Sequence, residues 1–143
     1  EASAYLRRRG ADTVMVKKLF SNSLDSYKRK AQLVSGAEIH KGCAIATTNW
    51  EFDDMRVAAA QAADELLSIQ GVKASFALYK VGGDVSISAR SLGDVNVQLI
   101  LEEFGGGGHF TMAGAQLKNV SMGEARRQLI HALDTKLEET TIN

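Results

Sequence analysis

The sequence is short of cysteine and histidine, carries no formal net charge and has no long apolar run, and each shortage removes a class of function. A single cysteine, Cys43, excludes an internal disulfide and agrees with a reducing compartment. No stretch is long and apolar enough to span a bilayer, and no charged-then-apolar signal segment opens the chain, so no membrane contact is expected from this fragment. Metal ligation needs several His, Cys or carboxylate groups converging, and only His40 and Cys43 come close in sequence. An exposed histidine beside a buried cysteine is the plainer account of that pair. A broad basic face of the kind that grips a long nucleic acid is also missing. Residues 1–50 carry nine Lys or Arg against four Asp or Glu, and the remainder eight against thirteen. The basic first third reads as solvated helix faces, and the acidic remainder suits a small anionic ligand better than a polymer.

What the chain does have is glycine, thirteen in all and four in succession. Gly105, Gly106, Gly107 and Gly108 run directly into His109, between an amphipathic helix pattern and a small-residue strand. One glycine is enough to close a helix, and each further one costs roughly 1 kcal/mol of backbone entropy on ordering. Bare amides can form a concave anion site with the His109 imidazole at its rim, and a flexible connector is the competing account. No Lys-Ser or Lys-Thr follows the glycines, so a nucleotide-binding P-loop is excluded.

At 143 residues and 45% hydrophobic, the chain can bury one sizeable core. Ala2 to Arg9 reads as the end of a helix stopped near Gly10, a short helix follows from Asp12 or Thr13, and another runs from Asn22 to about Gly36. Cys43 to Thr48 is a short apolar strand, Asp53 caps a helix from Asp54 to Ile69, and Val72 to Val81 is a second strand. This order favours a parallel pair with a right-handed crossover. Gly82-Gly83-Asp84 signals a hairpin into Val85 to Arg90, where Val85, Ile87 and Ala89 alternate with Ser86, Ser88 and Arg90. Asp94 caps a helix with Val95, Val97, Ile100, Leu101 and Phe104 on its apolar side. A small-residue strand, Ala113 to Leu117, and a final helix from Ser121 to about Leu137 complete the chain, with Glu138 to Asn143 fraying. The expected fold class is α/β, a mixed sheet of about four to five strands flanked by helices and preceded by a helical linker.

The candidate binding constellation is Arg90, Ser91 and Asn96 together with the glycines and His109. Arg90 can fork onto a phosphate or stack on a base, and Ser91 and Asn96 offer neutral hydrogen bonds. The adjacent acidic pairs Asp53-Asp54, Glu102-Glu103 and Glu138-Glu139 diverge on a helix and read as caps and solvated faces. His131 reads as a structural histidine.

Ser88-Ala89-Arg90-Ser91, Asn96-Val97 and then Gly105 to Gly114 resemble the substrate-binding domain that accompanies the DHH phosphoesterase fold. The resemblance is nearest to the membrane-anchored cyclic di-AMP phosphodiesterases of the GdpP/YybT type. It implies that residues 1–21 close a preceding DHH catalytic module, 22–42 form the helical linker, and 43–143 form the substrate-binding domain. It further implies that Arg90, Gly105, Gly106, Gly107, Gly108 and His109 contact the substrate, with Ser91 and Asn96 in support. The chain has no Asp-His-His motif and no Asp-x-Asp, so no catalytic residue, metal ligand or cofactor is assigned to it. Two manganese ions are implied for the DHH module of the same polypeptide, where they would activate a water. The function implied is recognition of a cyclic dinucleotide, cyclic di-AMP opened to linear pApA, in a cytoplasmic domain of a membrane-anchored enzyme. A second copy of the chain is a further candidate partner, and the isolated chain is expected to be inactive. Two alternatives stand beside this: cleavage of short oligonucleotides within the same superfamily, and a non-catalytic RNA-binding module like those that accompany alanyl-tRNA synthetases.

Overall fold

The computed structural model describes the backbone of residues 13–142 and the side chains of residues 24–137. In chain order the elements are α1 (Thr13–Ser35), β1 (Glu38–His40), β2 (Cys43–Thr48), α2 (Met55–Leu66), β3 (Ala74–Val81), β4 (Asp84–Ser91), α3 (Val97–Glu102), β5 (Gly107–His109), β6 (Met112–Leu117) and α4 (Met122–Ile142). Among the described residues, six strands form one mixed sheet in the order β1-β2-β3-β4-β6-β5. The β2–β3 pair is parallel, as a crossover through α2 requires, and every other pair is antiparallel.

Two apolar layers hold the sheet. On one face Ile45, Phe76, Leu78, Ile87 and Ala89 pack against Val97, Ile100 and Leu101 of α3 and against Ala125, Leu129 and Leu133 of α4. On the other, Ala44, Ala46 and Ala77 meet Ala59, Ala62, Ala63 and Leu66 of α2, with Leu33 of α1 closing the layer. The alanines leave no bulk between helix and strands, so α2 lies close on the sheet. Its buried positions recur at helical spacing. Ser75 reinforces that approach, donating from Oγ to the Ala63 carbonyl at 2.5 Å.

The mixed α/β architecture, the parallel pair and the Gly82-Gly83 hairpin agree with the sequence expectations, and several local features differ. The two short helices expected around Thr13 and Asn22 are one continuous α1; the modest helix preference of Ser21, Asn22 and Ser23 is a weak prior that context overrides. Glu38 to His40, expected within the helical linker, form β1 and pair with β2. The turn between them places Lys41 at φ 52° and Gly42 at φ 80°, the left-handed pair that a two-residue hairpin needs. α2 ends at Leu66 rather than Ile69. Asp54 rather than Asp53 sits at its N-cap, and the Asp54 carboxylate takes the Arg29 guanidinium at 2.8 Å, and the Ser26 hydroxyl, instead of capping. α3 is capped by Asn96, not Asp94. α4 runs through the segment expected to fray, as far as Ile142. The helix end expected at Ala2 to Arg9 lies outside the described residues.

Candidate functional site

The two halves of the sheet are covered unequally, and the candidate site lies where cover is missing. α1 and α2 close one face over β2 and β3. Beyond them, the same face of β4, β6 and β5 carries polar and small residues, with Met112 the large apolar one. Cross-strand partners project to one side of a sheet, so the register defines rows running across the strands. The first row is Ser75, Arg90, Met112 and His109, and the second is Ala77, Ser88, Gly114 and Gly107. Ser75 is buried under α2, Arg90 stands at the helix edge, and Met112 and His109 are exposed. Strands lie about 4.8 Å apart, which puts the Arg90 and His109 backbones about 10 Å from each other on one face. The second row offers almost no side chain, so a shallow floor of backbone and Ser88 lies beside the Arg90–His109 row.

Arg90 is held in place. Its Nε donates to Oδ1 of Asp64 on α2 at 3.0 Å and its Nη1 to the carbonyl of Ala89 at 2.9 Å. Its side chain is 13% exposed, against 63% for Asp64.

The glycine run has a local reason at three of its four positions. Gly105, at φ 78°, closes α3 in a Schellman arrangement, its amide bonding Glu102 and that of Gly106 bonding Leu101. A Cβ on Gly106 would sit 2.3 Å from the carbonyl oxygen of Gly114, and one on Gly108 2.4 Å from that of Met112. Gly108 also has φ 142°. The expected concave loop is therefore a hairpin arm: Gly107 to His109 are extended and form the edge strand β5. Gly107 alone among the four has ordinary φ and open space where a side chain would go. It belongs to the floor of the open face.

Ser91 and Asn96 are placed differently from Arg90 and His109. Ser91 is buried, follows Arg90 onto the opposite face, and accepts the Gly93 amide on Oγ at 2.9 Å. Asn96 accepts the Leu99 amide at 3.2 Å as the α3 cap. The amide of Val97 bonds the Phe110 carbonyl, so the start of this six-residue helix offers little free positive potential. Both residues shape the connection from β4 through α3 to β5. Phe110 and Met112, exposed beside His109, add apolar surface that sequence reasoning did not single out. Their alternation with polar neighbours is too short to signal a site.

Other chemistry-bearing groups are committed elsewhere. Burial pushes the Cys43 thiol up to about 11, with Lys73 opposing the shift, so it is a protonated core group at neutral pH. His40 donates from Nε2 to Asp134 Oδ1 at 2.7 Å. That bond, then the one from Lys41, holds the Asp134 carboxyl below its ordinary value. Among the described residues, no three His, Cys, Asp or Glu converge to hold a metal ion. A concavity between α3 and α4 is lined by Glu103, Phe104, Glu124, Arg127, Gln128 and His131, and its two carboxylates are paired with Lys136 and Arg127. No described helix is long and apolar enough to cross a membrane.

Comparison with known proteins agrees with this architecture. The profile of the DHHA1 domain family matches residues 40–139. The chain is 50% identical over 140 residues to the cyclic-di-AMP phosphodiesterase GdpP of Geobacillus thermodenitrificans, covering 96% of this chain and 21% of that protein. It is 46% identical over 136 residues to the cyclic-di-AMP phosphodiesterase PdeA of Listeria monocytogenes, covering 94% and 21%. An exopolyphosphatase-related protein from Bacteroides fragilis shares the fold at a TM-score of 0.67 and 23% identity, covering 77% of this chain and 34% of that one. The chain thus spans about a fifth of the length of these curated relatives, in which it corresponds to their C-terminal region. By the extent of the family match and the sheet it folds into, the chain belongs to the DHHA1 domain family.

Proposed function

We propose that this chain is the substrate-recognition domain of a phosphodiesterase that opens cyclic di-AMP to linear pApA. The observation that carries the proposal is the open face of β4, β6 and β5, where a held guanidinium and an exposed imidazole share one row beside a nearly bare floor. The Arg90 guanidinium takes a phosphate oxygen through directed N–H donors, and His109 contacts the phosphate or its sugar from the edge strand. Met112 and Phe110 supply the apolar surface on which a base rests. The two curated relatives named above are cyclic-di-AMP phosphodiesterases, which favours this substrate over others of the same charge.

Hydrolysis is assigned to a DHH module of the intact polypeptide. Among the described residues no metal-binding set converges, and the part of this chain in the reaction is to hold the substrate. Two manganese ions in that module would activate the attacking water, while Arg90, His109 and the floor hold the phosphodiester. The isolated chain is then inactive.

The test is turnover of cyclic di-AMP by the intact protein with manganese. Linear pApA is the expected product, and its absence would sink the proposal. Arg90→Ala is expected to lower kcat/KM about 10- to 100-fold, from ~1.5–3 kcal/mol for a hydrogen bond to a charged group. His109→Ala is expected to lower it by a smaller factor, with both variants melting as the parent does. The face ends at an edge strand and is open on that side, which also admits a linear chain, so cleavage of short oligonucleotides is the second reading. Faster turnover of a short RNA than of cyclic di-AMP would favour it.

A further inference from the structure

We infer that Asp64, on the exposed surface of α2, is a positioning residue for ligand binding: it presets the Arg90 fork on the open face. This rests on the proposed ligand role of Arg90.

An arginine side chain on a sheet surface samples many rotamers, and a ligand that immobilises it bears that entropy. Here the cost is met before binding. Ser75 clamps α2 to β3 through the Ala63 carbonyl, which brings the next residue, Asp64, to the edge of Arg90. Asp64 Oδ1 then takes the Nε–H and the Ala89 carbonyl takes an Nη1–H. Two bonds from two different elements fix the plane of the guanidinium. The Nη2 amino group has no further partner among the described residues, and it is left to donate to a ligand.

Stability gives Asp64 little other purpose. Its side chain is 63% exposed, against 13% for Arg90, and solvent around the carboxylate keeps the contribution of the pair to folding small. The pair also sits where the covered and open halves of the sheet meet, so α2 orients a guanidinium that borders the open face.

The experiment measures affinity for cyclic di-AMP in the intact protein for Asp64→Ala, Asp64→Asn, Arg90→Ala and the double variant Asp64→Ala/Arg90→Ala. Asp64→Ala is expected to weaken binding about 3- to 10-fold, the effect of freeing one rotamer-rich side chain. Asp64→Asn, which keeps an acceptor for Nε, should recover most of the loss. In the Arg90→Ala background the Asp64→Ala effect should vanish, because Asp64 acts through Arg90. An equal loss from Asp64→Ala in both backgrounds would overturn the inference, as would unchanged or tighter binding on removing Asp64 alone. Arg90→Ala at parental affinity would instead overturn the ligand role of Arg90 itself. Melting curves accompany each variant, and a marked fall in Tm for Asp64→Ala would show a structural role in place of the one inferred.

Discussion

The β1-β2-β3 half of the sheet and the β4-β6-β5 half are built from the same hydrogen-bonded ladder but finished differently. In the first, β2 and β3 are buried on both faces, and the residues of β3 from Ala74 to Tyr79 are all buried. In the second, alternation is strict: β4 buries Val85, Ile87, Ala89 and Ser91 and leaves Asp84, Ser86, Ser88 and Arg90 only partly covered. A strand enclosed on both sides carries a continuous apolar run, whereas one enclosed on a single side keeps every second residue free for other work. One half thus carries core on both faces, and the other shares the α3–α4 core while keeping the proposed binding face open.

The largest expected effect is in the enclosed half. Phe76 is fully buried in the α3–α4 layer, and Phe76→Ala should cost about 3–5 kcal/mol, read as a fall in the urea midpoint of unfolding. In the open half, Gly108→Ala should cost about 1–3 kcal/mol, from overpacking against Met112 and from its φ of 142°. It should disturb β5 while the enclosed half stays folded, visible as amide-exchange protection lost from β5 and kept in β3. If protection is lost evenly, the two halves are one cooperative unit.

Titration probes both halves through their carboxylates. The Asp84 carboxyl, in the open half, is lowered first by the Asn119 amide, with desolvation opposing, and then by Lys118 and Lys80. Asp134 is lowered in the enclosed half by His40 and Lys41. A folded-state value below the unfolded one gives stability that is present above the ordinary 3.8 and is lost as pH falls through the lowered value. Asp84→Asn and Asp134→Asn should therefore each flatten the acid limb of a Tm-against-pH curve. Cys43 has the opposite sign: its value is raised, so stability is present below 9.0 and lost as pH climbs toward about 11. Cys43→Ser should alter the slope of that alkaline limb.

The smallest effect on folding belongs to Gly107. Alanine there meets nothing within 4 Å and needs no unusual φ, so stability should shift by no more than about 0.5 kcal/mol. Binding should weaken, because the new methyl rises from the floor of the proposed site. Paired with Gly108→Ala, this substitution separates a glycine required by the fold from one left bare for a ligand. Unchanged affinity in Gly107→Ala would remove the floor from the site.

Much of the enclosed half was legible because burial writes itself into apolar runs and helical spacing, as in Cys43 to Thr48 and Met55 to Leu66. β4 was legible from its alternation. β1 was not, since Lys41-Gly42 lacks the Asn-Gly signature of its turn. Nor was β5, because glycine is depleted from strands and gives no pattern to recognise. Arg90 and His109 were legible as candidates by residue type, but neither the turn bond of Ser91 to the Gly93 amide nor the capping bond of Asn96 was visible. A capping side chain is recognised only by the amide it accepts from, and the sequence points to Asp94 as the cap where the structure has Asn96.

By itself the sequence determined the α/β class, the parallel crossover, the polar face of β4 and a glycine run ending in His109, because each follows from the local periodicity or conformational freedom of neighbouring residues. The tertiary structure alone decided that β6 lies between β4 and β5, which sets Arg90 and His109 in one row. It also decided that α2 stops short of that row, with Asp64 at its edge. Those are facts about which strands pair and which faces are covered, and they depend on the packing of distant segments.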